Sequence, residues 1–191
     1  MMKGIKKFAV VALAAVMTIA GTCTAFAATG SPTTSVTPVV NKKVTATVSA
    51  DAPKAKVTTS KKGTATVDTL GKTTAKTVKV ASKVTVDGVS YTVTTLGTGA
   101  FAKCGEETKK VSLPKTITKI ESKAFTGSSL KKIDVYSTKS ITVSKTAFKG
   151  VDTKSMTIKV TKKMSSTELK KFKKALKAAG YKGKVVRMTK H

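Results

Sequence analysis

Nucleophilic chemistry would have to be assembled from very little in this sequence. Cys23 lies in a leader-like N-terminal stretch, so Cys104 is the one other cysteine, and the single histidine, His191, is the last residue. A thiolate-imidazole pair needs both groups held within hydrogen-bonding reach, which a chain end does not provide. A solitary thiol makes no intramolecular disulfide and reads as a small apolar packing unit. One histidine, one cysteine and scattered carboxylates do not supply a metal's ligand set. Glu106 and Glu107 are adjacent in an expected loop and Glu121 lies one repeat further on, but nothing arranges them as a working acid and base. The glycines of Leu96-Gly97-Thr98-Gly99 belong to a repeat, not to a phosphate loop. The sequence therefore predicts a non-enzymatic chain without cofactor or metal.

What remains is charge. The chain has 37 basic and nine acidic residues, a net charge of +28, and every basic residue except Arg187 is lysine. A lysine ammonium is a hydrated point charge without the planar fork that reads phosphates or bases. Unspecific attraction to polyanions is the predicted consequence. Base-specific nucleic-acid reading is excluded on the same count, because aromatics to stack on bases are few and arginine is single.

The elements that must carry such a surface begin with a leader. Residues 1–27 place Lys3, Lys6 and Lys7 ahead of an apolar run from Phe8 to Ala20, then Ala25-Phe26-Ala27. This is the pattern of a secretory signal peptide cut between Ala27 and Ala28. The run is short for a membrane span, and no later segment is apolar enough to be one. Cys23 follows Thr22, a poor residue before a lipidated cysteine. Loss of the three leader lysines leaves a mature chain with a charge of about +25. Residues 28–43, rich in Ser, Thr and Pro, read as a disordered linker.

One phrase then recurs. Ala100-Phe101, Ala124-Phe125 and Ala147-Phe148 each follow an apolar residue four places before the alanine, namely Leu96, Ile120 and Val143. Each Phe precedes two alternate apolar positions: Val111 and Leu113, Ile133 and Val135, Met156 and Ile158. Alternation of this kind puts both side chains on one face of a strand. A unit of about 20 to 29 residues with one strand is the mark of a solenoid, where only stacking builds a core.

The runs Leu96-Gly97-Thr98-Gly99-Ala100-Phe101, Val111-Ser112-Leu113-Pro114-Lys115-Thr116-Ile117-Thr118-Lys119-Ile120 and Glu121-Ser122-Lys123-Ala124-Phe125-Thr126-Gly127 resemble the BspA-type leucine-rich repeats of bacterial secreted and cell-surface proteins. Cys104 stands at that pattern's cysteine, which Ser128 and Val151 replace in the next units; Glu121 and Ser144 replace its glycine. The resemblance implies an extracellular or cell-surface adhesion or binding module.

The expected fold is an α/β solenoid of about three to four units. Residues 44–95 form an N-terminal β-rich cap with a degenerate repeat, 96–164 the leucine-rich repeats, and 165–191 a capping helix and short strand. Val84-Thr85-Val86 and Val89-Ser90-Tyr91-Thr92-Val93 flank Asp87-Gly88, a tight-hairpin signal. Val78 and Val80 supply the degenerate unit's strand. Ser165-Ser166-Thr167-Glu168 is a capping box, Leu169, Phe172, Leu176 and Ala179 share a helix face, and Gly180 stops the helix. Val185 and Val186 suggest the last strand.

If Val111 and Leu113 point inward, their neighbours point out. By the same count Ser155 and Thr77 also point outward, and the candidate binding strip is Lys79, Lys110, Ser112, Lys132, Asp134 and Thr157, with Tyr136 and Lys159 at its edge. The expected partner is an extracellular protein; the alternative is a polycation held on wall polymers, mucin or extracellular nucleic acid by charge alone, which would also retain it at the cell surface. Oligomeric state is left open.

Overall fold

Runs in which Thr and Val alternate become strands in the computed structural model, which describes residues 41–48 and 54–189. The expected signal peptide, most of the expected linker and His191 lie outside the described residues. The N-terminal strands are β1 (Lys43–Ala46), β2 (Ala55–Thr59), β3 (Thr64–Leu70), β4 (Thr77–Lys79), β5 (Lys83–Val86) and β6 (Val89–Leu96). β7 (Lys110–Leu113), β8 (Lys119–Ile120), β9 (Lys132–Val135), β10 (Thr142–Val143) and β11 (Thr157–Val160) follow. Helix α1 (Ser166–Ala178) and strand β12 (Lys184–Arg187) end the order.

These strands build two sheets, neither closed on itself. One has the order β1-β2-β3-β6-β8-β10, with β5 also paired to β6; the other runs β12-β11-β9-β7-β4 and is parallel throughout. From β6 to β11 the chain visits the two sheets in turn, which is how a coil advances. Leu96, Ile120 and Val143 fall in register on one limb. Val78, Val111, Ile133, Ile158 and Val185 fall in register on the other.

Between the limbs the phenylalanines stack. Phe101 and Phe125 have ring centroids 5.3 Å apart and Phe125 and Phe148 4.9 Å, with interplanar angles of 9° and 11°. All three are buried, as are the alanines before them. The small alanines let each turn pass close to the next: the Phe101 N–H donates to the Ala124 carbonyl at 3.0 Å and the Phe125 N–H to the Ala147 carbonyl at 3.2 Å. The turn after each Phe closes alike, with the N–H of Cys104, Ser128 and Val151 donating to the carbonyl of Phe101, Phe125 and Phe148. The corner groups thus find backbone partners on the next turn or within their own, which burial requires.

Three details differ from expectation. The inward pair of the third unit is Ile158 and Val160, which lie opposite Ile133 and Val135, and not Met156 and Ile158. Ten residues separate Phe148 from Ile158, as they do Phe101 from Val111, whereas the middle unit uses eight; counting by the middle unit slips the pair by two. Met156 is buried ahead of the strand. The helical part of the expected α/β solenoid is confined to α1 among the described residues, because the second limb of each coil is made of turns and two-residue strands. The parallel sheet also has a fifth strand, β12, beside β11.

At the N-terminal end β1, β2 and β3 form an antiparallel meander, and β3 then lies parallel to β6. Asp87 and Gly88 have φ of 50° and 78°, the left-handed pair that a two-residue hairpin turn needs. The corner glycine of the pattern is present at Gly97, where a Cβ would sit 3.1 Å from Asp68 Cα and the Val67 carbonyl of β3. Crowding by β3 explains glycine at this corner.

At the other end Ser165 caps α1, its Oγ accepting from the Glu168 N–H at 3.2 Å. The Glu168 carboxylate accepts from the Ser140 N–H at 2.7 Å, so it ties the helix to the 137–141 loop. That bond and Lys171 hold its pKa below the usual range. The helix stops in a Schellman arrangement: the Tyr181 N–H donates to the Leu176 carbonyl, the Gly180 N–H to that of Lys177, and Gly180 has φ of 79°. Phe172, Leu176 and Tyr181 are buried, and Tyr181 continues the aromatic column 5.3 Å from Phe148. Its hydroxyl is shared between the Met156 and Lys184 carbonyls at 2.8 and 3.0 Å, and burial pushes its pKa up to about 12.

Candidate functional site

Alternation along the parallel sheet sends one set of side chains into the aromatic column and the other outward. The register aligns the outward set in rows across the strands. One row is Thr77, Lys110, Lys132, Thr157 and Lys184; the next is Lys79, Ser112, Asp134, Lys159 and Val186. Tyr136 follows Asp134 on the same face, its N–H bonded to the Leu113 carbonyl at 3.1 Å.

All eight residues of the expected strip therefore stand together. Lys159 lies within a row and not at its edge. Ser155, outward-pointing on the earlier register, is off the strand and its hydroxyl bonds Asp152 at 2.8 Å. The sequence reading missed Lys184 and Val186; Val185-Val186 signals a strand, but α1 intervenes and nothing local shows that it pairs with β11.

The face is cationic with one acid at its centre. Lys79, Lys110, Lys132, Lys159 and Lys184 share the two rows with Asp134, which is 6 % exposed. Lys110 Nζ lies 2.6 Å from Asp134 Oδ2, while Asp134 Oδ1 is buried without a hydrogen-bond partner among the described residues. One lysine of the face is thus neutralised locally. Tyr136 and Val186, 47 % and 40 % exposed, are the exposed large hydrophobic side chains among the described residues, and both stand on this face.

The residues capable of nucleophilic chemistry are placed elsewhere. Cys104 is buried and burial pushes its thiol up to about 11, which keeps it protonated and a poor nucleophile. Glu106 and Glu107 are exposed on a loop, and Glu121 pairs with Lys119 at 3.0 Å. Among the described residues no cluster of three His, Cys, Asp or Glu side chains could hold a metal, and no helix is long and apolar enough to cross a membrane.

A family model described as the BspA type leucine-rich repeat region, in six copies, matches residues 76–179, more than half of the chain. The match starts beside β4 and ends at the C-cap of α1, so it spans every strand of the parallel sheet except β12. It counts six copies where the Ala-Phe period marks three. No curated protein and no solved structure matches the chain.

Proposed function

The chain belongs to the BspA-type leucine-rich repeat family, and from that premise we propose that it works outside the cell as a non-enzymatic adhesion or binding module. Its contact surface is the outer face of the parallel sheet. Residues 1–27 serve as the export signal. The strands between 44 and 95 act as the N-terminal cap, and α1 with β12 closes the array behind the last unit. Family membership supports a surface or secreted repeat protein. The observation that carries the choice of face is the pairing of Tyr136 and Val186, both large, apolar and exposed, on one cationic sheet surface.

A second reading is favoured by the charge of +28 itself: a polycation retained on anionic polymers with no particular face engaged. Salt dependence separates them. Contact through four or five face lysines gives a log-log slope of about −3 to −3.5 at roughly 0.7 per cation, hence a loss of about a hundredfold between 50 and 200 mM salt. Engagement of the whole lysine surface gives a far steeper loss. A pull-down from surface extracts at those two salt concentrations, with the chain and its Lys110→Gln/Lys132→Gln variant, tests the proposal. Binding that weakens by about a hundredfold at the higher salt, and falls further in the variant, supports it; binding unchanged by the variant moves the site elsewhere.

A further inference from the structure

The dimensions of the face restrict what it can hold. Five strands at about 4.8 Å spacing make it roughly 19 Å long across the strands, and four residues at about 3.3 Å make it roughly 13 Å wide. That is about 250 Å², well short of the roughly 800 Å² that each side of a standard protein interface buries. A linear polymer lying across the strands meets no such deficit, because it needs only a strip.

The chemistry narrows the polymer further. Along the strip run lysines, while at the C-terminal ends of the strands a shallow cavity of about 290 Å³ is lined by Lys79, Val80, Ser112, Leu113, Pro114 and Tyr136. It combines an aromatic ring, apolar side chains, a hydroxyl and an ammonium. Ligand sites have this composition, apolar lining with a few placed polar groups, and this one is at the small end of their range of about 300 Å³ upward. A sugar ring presents what it complements: an apolar C–H face for Tyr136 and a polar rim for Ser112. A phosphate polymer offers the ring nothing apolar. Nucleic acid would want several stacking aromatics and arginine forks, but Arg187 is spent on the Lys162 and Met164 carbonyls at 3.1 and 2.7 Å.

Resting on the face reading above, we infer that the parallel sheet binds a linear acidic polysaccharide, laid across the strands with one sugar seated against Tyr136 and its carboxylates or sulfates on the lysine rows.

Titration calorimetry of the purified chain with a hexasaccharide of galacturonic acid tests this, with its methyl-esterified form, polyglutamate and polyphosphate of matched charge as comparators. The expected order is the acidic hexasaccharide first, the other three each at least about tenfold weaker. Tyr136 is half exposed, so Tyr136→Ala leaves the core intact; it weakens hexasaccharide binding by about tenfold, the scale of one aromatic contact. Tyr136→Phe stays within about threefold of the parent. Polyglutamate or polyphosphate binding as tightly as the hexasaccharide overturns the ligand class. Loss of binding in Lys110→Gln/Lys132→Gln with none in Tyr136→Ala keeps the face but overturns the seated sugar. Binding unchanged in every variant overturns the face reading as well.

Discussion

Replacing Phe125 with leucine removes the middle ring of the aromatic column while keeping most of the apolar volume. Phe125 is stacked on two rings, Phe101 and Phe148, whereas Phe101 is stacked on one. Each aromatic pair contributes about 0.5–1.5 kcal/mol beyond its buried area. Phe125→Leu should therefore cost about 1–3 kcal/mol and Phe101→Leu about half of that, with a Tm fall of about 2–4 °C for each kcal/mol in a domain of this size. The imperfect fit of leucine adds to both numbers, so a double-mutant cycle is the cleaner reading. Urea denaturation of the single and double variants gives it. Phe125 with Phe148 should show a coupling of about 0.5–1.5 kcal/mol, and Phe101 with Phe148, which have Phe125 between them, no more than about 0.5 kcal/mol. Equal couplings in the two cycles, or none in the first, would mean that the rings do not form one column, and the coil reasoning would fall with them.

Three narrower outcomes follow from the C-terminal end and the face. A Cβ on Gly183 would fall well inside contact distance of the Met156 and Thr153 carbonyl oxygens and 2.6 Å from the Tyr181 hydroxyl. Gly183→Ala should thus cost at least the upper part of the range of about 1–3 kcal/mol usual for overpacking, and exceed Gly180→Ala, where the methyl meets nothing and only a left-handed φ costs about 1–2 kcal/mol; thermal melts in the reverse order would contradict this. Glu168 titrates below its ordinary value of about 4.3, first through the Ser140 N–H and then Lys171. A depressed folded pKa means its contribution is full above that value and lost as pH falls through the folded one. The stability gap between the parent and Glu168→Gln should hold steady above about pH 5 and shrink on acidification below about pH 4; a gap that widens in acid refutes the tether. Asp134→Asn frees Lys110 and should tighten binding of an acidic oligosaccharide severalfold by calorimetry, weaker binding being the contrary result.

Much of this was legible because the sequence repeats itself. Leu96, Ile120 and Val143, with the Ala-Phe pairs four residues on, mark equivalent corners, and equivalence in sequence becomes register in space. Asp87-Gly88 and Ser165 with Glu168 announced a hairpin and a helix start by local chemistry alone. What escaped depends on distant partners. The pairing of Ile158 with Ile133 is fixed by the length of the preceding loop, which a reading by alternation cannot separate from Met156. β3 lies parallel to β6 across an intervening β4 and β5, and strands built of Thr and Val throughout carry no mark of which neighbour they take. The Glu168 carboxylate left its expected place in the capping box for a loop 28 residues away. The burial of Asp134 likewise arises from residues on neighbouring strands, and the strip's fifth strand arrives only after a helix.

The claim that the parallel sheet face is the site of contact can be separated from the effect of charge by one comparison. Lys110→Gln/Lys132→Gln removes two lysines from the face, and Lys145→Gln/Lys170→Gln removes two exposed ones from a corner and from α1, so both variants carry the same net charge. Affinity for the galacturonic acid hexasaccharide should fall by about tenfold or more in the first and stay within about twofold in the second. Equal losses in the two would show that charge alone does the holding and that the face has no special part in it.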